Sequence, residues 1–360
     1  MATAERKCNL DLLRILSMIF VVCLHYLGVG GGYYNILDGN LSNITVNFVS
    51  AALFEALAIV GVNCFVLISG YFLITSSFKP KKILNLWINT IFYTVILFII
   101  HVALFGFELN AAIKSFAPIL MSTYWFITVY IALYLLSPFI NKLCNNMTQK
   151  QHFTLIAILV GIFSVWKTIM PIASTIDNRK GYSLTWFIVL YLIGAYARKH
   201  GLKLFKNNWN NLLAYFAISA FSVGVKLMAI VVSTKILMIA EGQNLLYHYD
   251  SITVLSAAVF LFVFFSRLEI NSAKVGKVVR FITPSVFSIY IIHENFLWRE
   301  WLWNKALGAG GMKESPLFVF HFIACVVLVF VSCVLIDKIR IYLFKLVPRI
   351  VRQPKEKSDG

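Results

Sequence analysis

Acidic residues are scarce in this 360-residue chain, 15 against 32 Lys and Arg, and charged residues of both signs make up only 13%. That is about half the share found in soluble domains, and it leaves little material from which to build a separate aqueous domain. Cysteine is present without a pattern. Six residues show neither the paired spacing of a zinc site nor a disulfide framework, since Cys23, Cys64, Cys325 and Cys333 fall in apolar segments and Cys8 and Cys144 near basic ones. They read as small apolar filler, and no metal is expected. A signal-peptide cleavage site is also lacking: the first apolar run follows a basic start, but it carries Arg14 and leads into no small-residue site. That run is expected to be retained as a membrane helix.

Apolar residues are abundant, 60% of the chain with a mean hydropathy of +0.81, against about 45–50% in soluble domains. This composition identifies an integral membrane protein in contact with lipid. The net charge of +17 does not imply a nucleic-acid partner, because the basic residues gather in short segments between apolar runs, as the positive-inside rule requires.

Windows of about 20 apolar residues predict ten helices, at 10–29, 54–74, 83–105, 120–140, 153–172, 184–198, 210–234, 249–266, 281–303 and 316–337, the sixth being short. The fold class is therefore all-α, a polytopic membrane bundle of about ten transmembrane helices, with residues 1–345 as the membrane domain and 346–360 as a basic tail. Counted on alternate sides, 22 Lys and Arg fall on one side and 8 on the other, with Arg14 and Lys226 inside helices, which accounts for all 32. Both termini are expected in the cytoplasm.

Arg14 and His25 lie eleven residues apart in the first apolar run. At about 100° per residue the interval is three turns plus about 20°, so both project from one helix face, roughly 16 Å apart along the axis. Charged and titratable groups within hydrocarbon are costly unless they face a protein interior or a wet cavity, which makes the pair a functional-site candidate. A buried histidine stays neutral and basic, able to activate a hydroxyl; the plain alternative is a hydrogen bond to a neighbouring helix. Arg14 suits a phosphate or carboxylate gripped by two parallel bonds, or an interfacial anchor paired with Asp11.

Other polar residues sort by depth. His25, Lys226 and the His293-Glu294 pair each lie 13 to 16 residues from a basic helix end, about 20 to 24 Å in, and would share a level in the outer half of the membrane. Neighbours on a helix do not face each other, so one of His293 and Glu294 is expected to line the site and the other to pack elsewhere. Lys226 reads as a snorkelling residue or a site residue. Lys79, Lys81 and Lys82 would meet cofactor phosphates, or simply mark a basic loop. Trp125 and Trp186 are expected in interfacial aromatic belts, with sugar stacking by Trp125 as the minority reading.

The run Asn9-Leu10-Asp11-Leu12-Leu13-Arg14, then ten residues and His25, resembles the Arg-x10-His signature of the acyltransferase-3 family of membrane O-acyltransferases. The resemblance continues, in order, through Asn63-Cys64-Phe65-Val66-Leu67-Ile68-Ser69-Gly70-Tyr71-Phe72, Tyr124-Trp125-Phe126 to Leu136-Ser137-Pro138, and Ser288-Ile289-Tyr290-Ile291-Ile292-His293. It implies a bundle of about ten helices in a bacterial inner membrane, moving an acyl group, usually acetyl, from cytoplasmic acetyl-CoA to a hydroxyl of an extracytoplasmic glycan or lipid-linked glycan such as O-antigen or capsule. It also implies His25 as the catalytic histidine and Arg14 as its partner toward the donor. Where relatives often carry arginines in the loop after the second helix, this chain has Lys79, Lys81 and Lys82, point charges without a bidentate fork. The rival reading is a polytopic transporter or glycan flippase, which would usually show internal repeats; the Arg14–His25 pattern is not duplicated. Arg14→Lys keeps the charge and loses the planar fork, so acylation of the surface glycan is expected to fall strongly. Full activity in the lysine variant would favour the anchor reading.

Overall fold

The computed structural model describes residues 8–31, 44–170, 179–233 and 244–351, and every regular element among them is helical. Nine helical stretches among these residues are long and apolar enough to cross a membrane. The one remaining window, the sixth, corresponds to α9, Leu184–His200, whose 17 residues reach about 26 Å, just short of a hydrocarbon core of about 30 Å. Of the expected tail, residues 346–351 continue the last helix, and the remainder lies outside the described residues, as do Arg6, Lys7 and Lys235.

The first helix, α1 (Cys8–His25), is the hub, touching α2 (Val46–Ala58), α3 (Gly61–Leu73), α11 (Ile252–Ser266), α12 (Ala273–Ile282), α13 (Val286–His293) and α14 (Phe318–Val351). Helices farther out are α4 (Pro80–Phe105), the short α5 (Leu109–Phe116), α6 (Trp125–Asn146), α7 (Gln149–Val160) with the single turn α8 (Lys167–Ile169), and α10 (Asn208–Ser233). Their outward faces are apolar, with Ile99, Phe139 and Leu213 all more than half exposed, as lipid contact demands.

Three local features decide how the helices meet. A Cβ on Gly70 would collide with the Tyr191 carbonyl, and one on Gly194 with the Leu67 carbonyl, so α3 and α9 touch backbone to backbone, as small residues permit in membranes. Pro138 inside α6 cannot bond to the Tyr134 carbonyl one turn back. The Ser137 hydroxyl donates to that carbonyl instead, at 2.7 Å. Finally, the window 281–303 is not one helix. The span runs Ala273–His293 through a 3-10 turn at Thr283–Ser285, and Glu294 leaves the helix at φ −100, ψ 17.

Helix ends that carry basic residues meet in pairs. Asn9 of α1 donates to the Ser266 carbonyl of α11 at 3.2 Å, Lys199 of α9 to the Cys144 carbonyl of α6 at 2.5 Å, and Lys338 of α14 to the Phe281 carbonyl of α12.

Lys226 does not snorkel. Its ammonium binds Glu55 of α2 at 2.9 Å, with side-chain exposures of 5% and 11%, and lies 4.3 Å from the centre of the Tyr247 ring. A buried ammonium of this kind is retained by a counter-charge and a ring face. Lys226→Met would strand the carboxylate, at an expected cost of about 3 kcal/mol, read as a lower unfolding temperature in detergent. Adding Glu55→Leu should recover most of the loss; equal instability of the single and double variants would show that the pair does not brace α2 to α10.

Candidate active site

Arg14, Met18, Val21 and His25 of α1 line a single cavity of about 280 Å³. Steps of four, three and four residues keep these side chains on one face, so the stripe expected from the spacing is realised as a wall. The cavity between Arg14 and His25 is mostly apolar, bounded by Val62 and Phe65 of α3, Phe126 of α6, and Val286 and Phe287 of α13; Ser69, Tyr130 and Tyr290 supply hydroxyls.

Immediately after His25, α1 opens into a π turn, Tyr26–Gly30, closed by the Gly31 amide on the Tyr26 carbonyl at 2.7 Å. Such turns re-aim side chains at functional sites. Here Tyr26 is turned toward α14, where its hydroxyl meets His321 Nδ1 at 2.7 Å and the other His321 nitrogen meets the Leu307 carbonyl at 2.9 Å. Because a carbonyl only accepts, His321 donates to Leu307 and Tyr26 donates to His321. This fixes the segment that carries His25.

The same logic assigns the proton on His25. His293 Nδ1 lies 2.5 Å from the Ile289 carbonyl and must donate to it; His293 Nε2, 2.8 Å from His25 Nδ1, is then the acceptor. His25 donates through Nδ1, which leaves a lone pair on its Nε2. Beside this bond, Glu294 Oε2 stands 3.4 Å from His25 Nδ1, buried and without a hydrogen-bond partner, while Oε1 is held by Arg299 at 2.6 Å. Thus both His293 and Glu294 face His25, where only one was expected to. The helical rule fails because α13 ends at His293. The turn that follows is pinned by Tyr124, whose hydroxyl donates to the Ile291 carbonyl at 3.0 Å and accepts from Asn295 at 3.1 Å.

A second cavity, about 330 Å³, lies on the other side of His25, toward the face opposite the basic one. It shares Leu24, His25, Trp125 and Tyr249 with the first, and adds Glu55, Lys180, Tyr182, Tyr247 and His248. Trp125 is therefore a wall common to both cavities, its ring 4.4 Å from that of Tyr182, and not part of a lipid belt. Trp186 is fully buried, donating to Asn63 at 3.3 Å. Packing between α3 and α9 buries Trp186, while the rings of Tyr182 and Tyr249 hold Trp125 at the cavities.

At the basic end, Arg14 binds Asp11 at 2.7 Å and lies 5.0 Å from the centre of the Phe72 ring, while still bordering the cavity. The anchor and the cavity wall are one residue. Lys79 caps α4 and Lys82 lies in its first turn, 5.8 Å from the centre of the Tyr134 ring, so the two form a cationic mouth, with Lys81 exposed beside them. Among the described residues no three His, Cys, Asp or Glu side chains come together as metal ligands do.

A family model described as an acyltransferase domain, of the acyltransferase-3 family, matches residues 9–338. The chain belongs to the acyltransferase-3 family. No curated protein and no solved structure matches it. This membrane acyltransferase thus carries its Arg14–His25 stripe along a cavity, with a second cavity beyond the histidine. Two residues at its site were not anticipated from sequence. Glu55 sits as a lone carboxylate in an apolar run, a signal that Lys226 needed a partner. Arg299, counted among loop cations, is the counter-ion of Glu294.

Proposed function

We propose that this acyltransferase moves an acyl group, most simply acetyl, from acyl-CoA at the cytoplasmic face to a hydroxyl of a glycan or lipid-linked glycan at the outer face of a bacterial inner membrane. The single observation that carries the reading is that His25 forms a wall shared by two cavities, one of which leads back to Arg14. The donor's phosphates stay at Arg14, Lys79 and Lys82, its extended arm lies in the apolar cavity, and its thioester reaches His25. The acceptor occupies the second cavity, with a sugar ring against Trp125.

In the reaction, His25 Nε2 removes the proton from the acceptor hydroxyl as the oxygen attacks the thioester carbonyl. The tetrahedral adduct collapses, the carbon–sulfur bond breaks, and the thiolate takes the proton back from His25. Glu294 stands beside the imidazolium formed between these steps and favours it electrostatically, while His293 keeps the ring in the productive tautomer. The carbonyl oxygen gains charge between the two steps, and the hydroxyl of Tyr290, on the cavity wall, is suited to meet it.

His25→Ala is expected to lower transfer by about 100-fold or more, at unchanged protein level and donor binding, read as the acyl content of the purified surface glycan. His293→Gln should lower kcat with little effect on KM for the donor. Normal acylation in well-inserted His25→Ala protein would remove His25 from the mechanism.

A further inference from the structure

The reaction above leaves one large groove unused. It lies at the basic face between the α3–α4 connection and α6, with a volume of about 640 Å³, and its lining includes Ser77, Phe78, Tyr134, Lys142 and Asn145. The Phe78 ring is 38% exposed and stacks on Tyr134 at 5.2 Å and 30°. Tyr134 is held in place because its hydroxyl accepts from the Lys79 amide at 3.1 Å and lies 3.3 Å from the Lys79 carbonyl. Lys82 Nζ lies 5.8 Å from the centre of the same ring. The groove therefore adjoins the cationic mouth at one shared residue. Ser77, Lys142 and Asn145 are exposed, and their side chains take no hydrogen-bond partner among the described residues.

We propose that this groove holds the nucleotide end of the acyl donor, with adenine on the exposed face of Phe78 and the 3′-phosphate at Lys142. The inference rests on the reading that the donor is acyl-CoA, and it adds a second recognition site to it. The chemistry divides along the protein as it does along that molecule. The apolar cavity beyond Arg14 accepts only an uncharged arm, and the cluster of Arg14, Lys79 and Lys82 meets the pyrophosphate. What remains of the donor is a flat base, a ribose and a phosphate dianion, which need a ring face, neutral hydrogen-bonding groups and a cation. The groove supplies all three in Phe78, Ser77 with Asn145, and Lys142. A lipid headgroup would use the cation but not the ring.

Calorimetric titration of the purified protein with CoA, 3′-dephospho-CoA and 4′-phosphopantetheine tests the assignment, and both substituted side chains are exposed. Phe78→Ala should weaken CoA and 3′-dephospho-CoA by about tenfold, the loss of one base–aromatic stack, and leave 4′-phosphopantetheine unchanged. Lys142→Ala should weaken CoA alone by about tenfold, the loss of one charge-assisted contact. Equal weakening of all three ligands, or no change in any of them, would overturn the groove assignment while leaving the donor reading intact. Failure of the unsubstituted protein to bind CoA would overturn both.

Discussion

An imidazole surrounded by hydrocarbon has no water to fix which nitrogen carries the hydrogen, and the chemistry of this site depends on how the protein fixes it. The Ile289 carbonyl fixes His293, and His293 fixes His25. Each bond removes an unsatisfied polar group that would otherwise cost about 1–3 kcal/mol in a dry interior. The chain of bonds starts on the backbone of α13, so the protonation pattern of α1 is set by the register between those two helices. Tyr26, His321 and the Leu307 carbonyl repeat the device toward α14. The hub position of α1 follows, since its polar groups are completed only by the helices around it.

The same constraint explains the arrangement of charge. Glu294 is neutralised by Arg299 on one oxygen and leaves the other beside His25, while Glu55, in the second cavity's wall, is paired with the buried Lys226. Apolar residues of similar volume would make a stable packing just as well. Charged groups at this depth therefore point to work on a substrate.

Periodicity made Arg14 and His25 legible, because eleven residues on a helix bring two side chains to one face whatever the packing around them. Hydropathy likewise made the class of fold legible, since windows of apolar residues mark most of the spanning helices. Features set by helix ends and partners were not legible. His293 and Glu294 both reach His25 because α13 stops between them, a boundary that apolar sequence does not mark. Lys226 reads from sequence as a snorkelling or site residue because its partner, Glu55, lies 171 positions away, where no local pattern marks it. Trp186 follows the packing of α3 against α9, and Trp125 the rings of Tyr182 and Tyr249, not the interfacial preference of their side chains.

Two cavities meet at one histidine, and in the proposed reaction a donor and an acceptor would meet there without either crossing the membrane. Labelled acetyl-CoA supplied to one face of sealed vesicles, with acceptor glycan present, tests this most directly. The account predicts label on the glycan only when acetyl-CoA is on the basic face, with free CoA remaining on the side where it was added. Glycan movement without consumption of acetyl-CoA, or transfer from the opposite face alone, would contradict it.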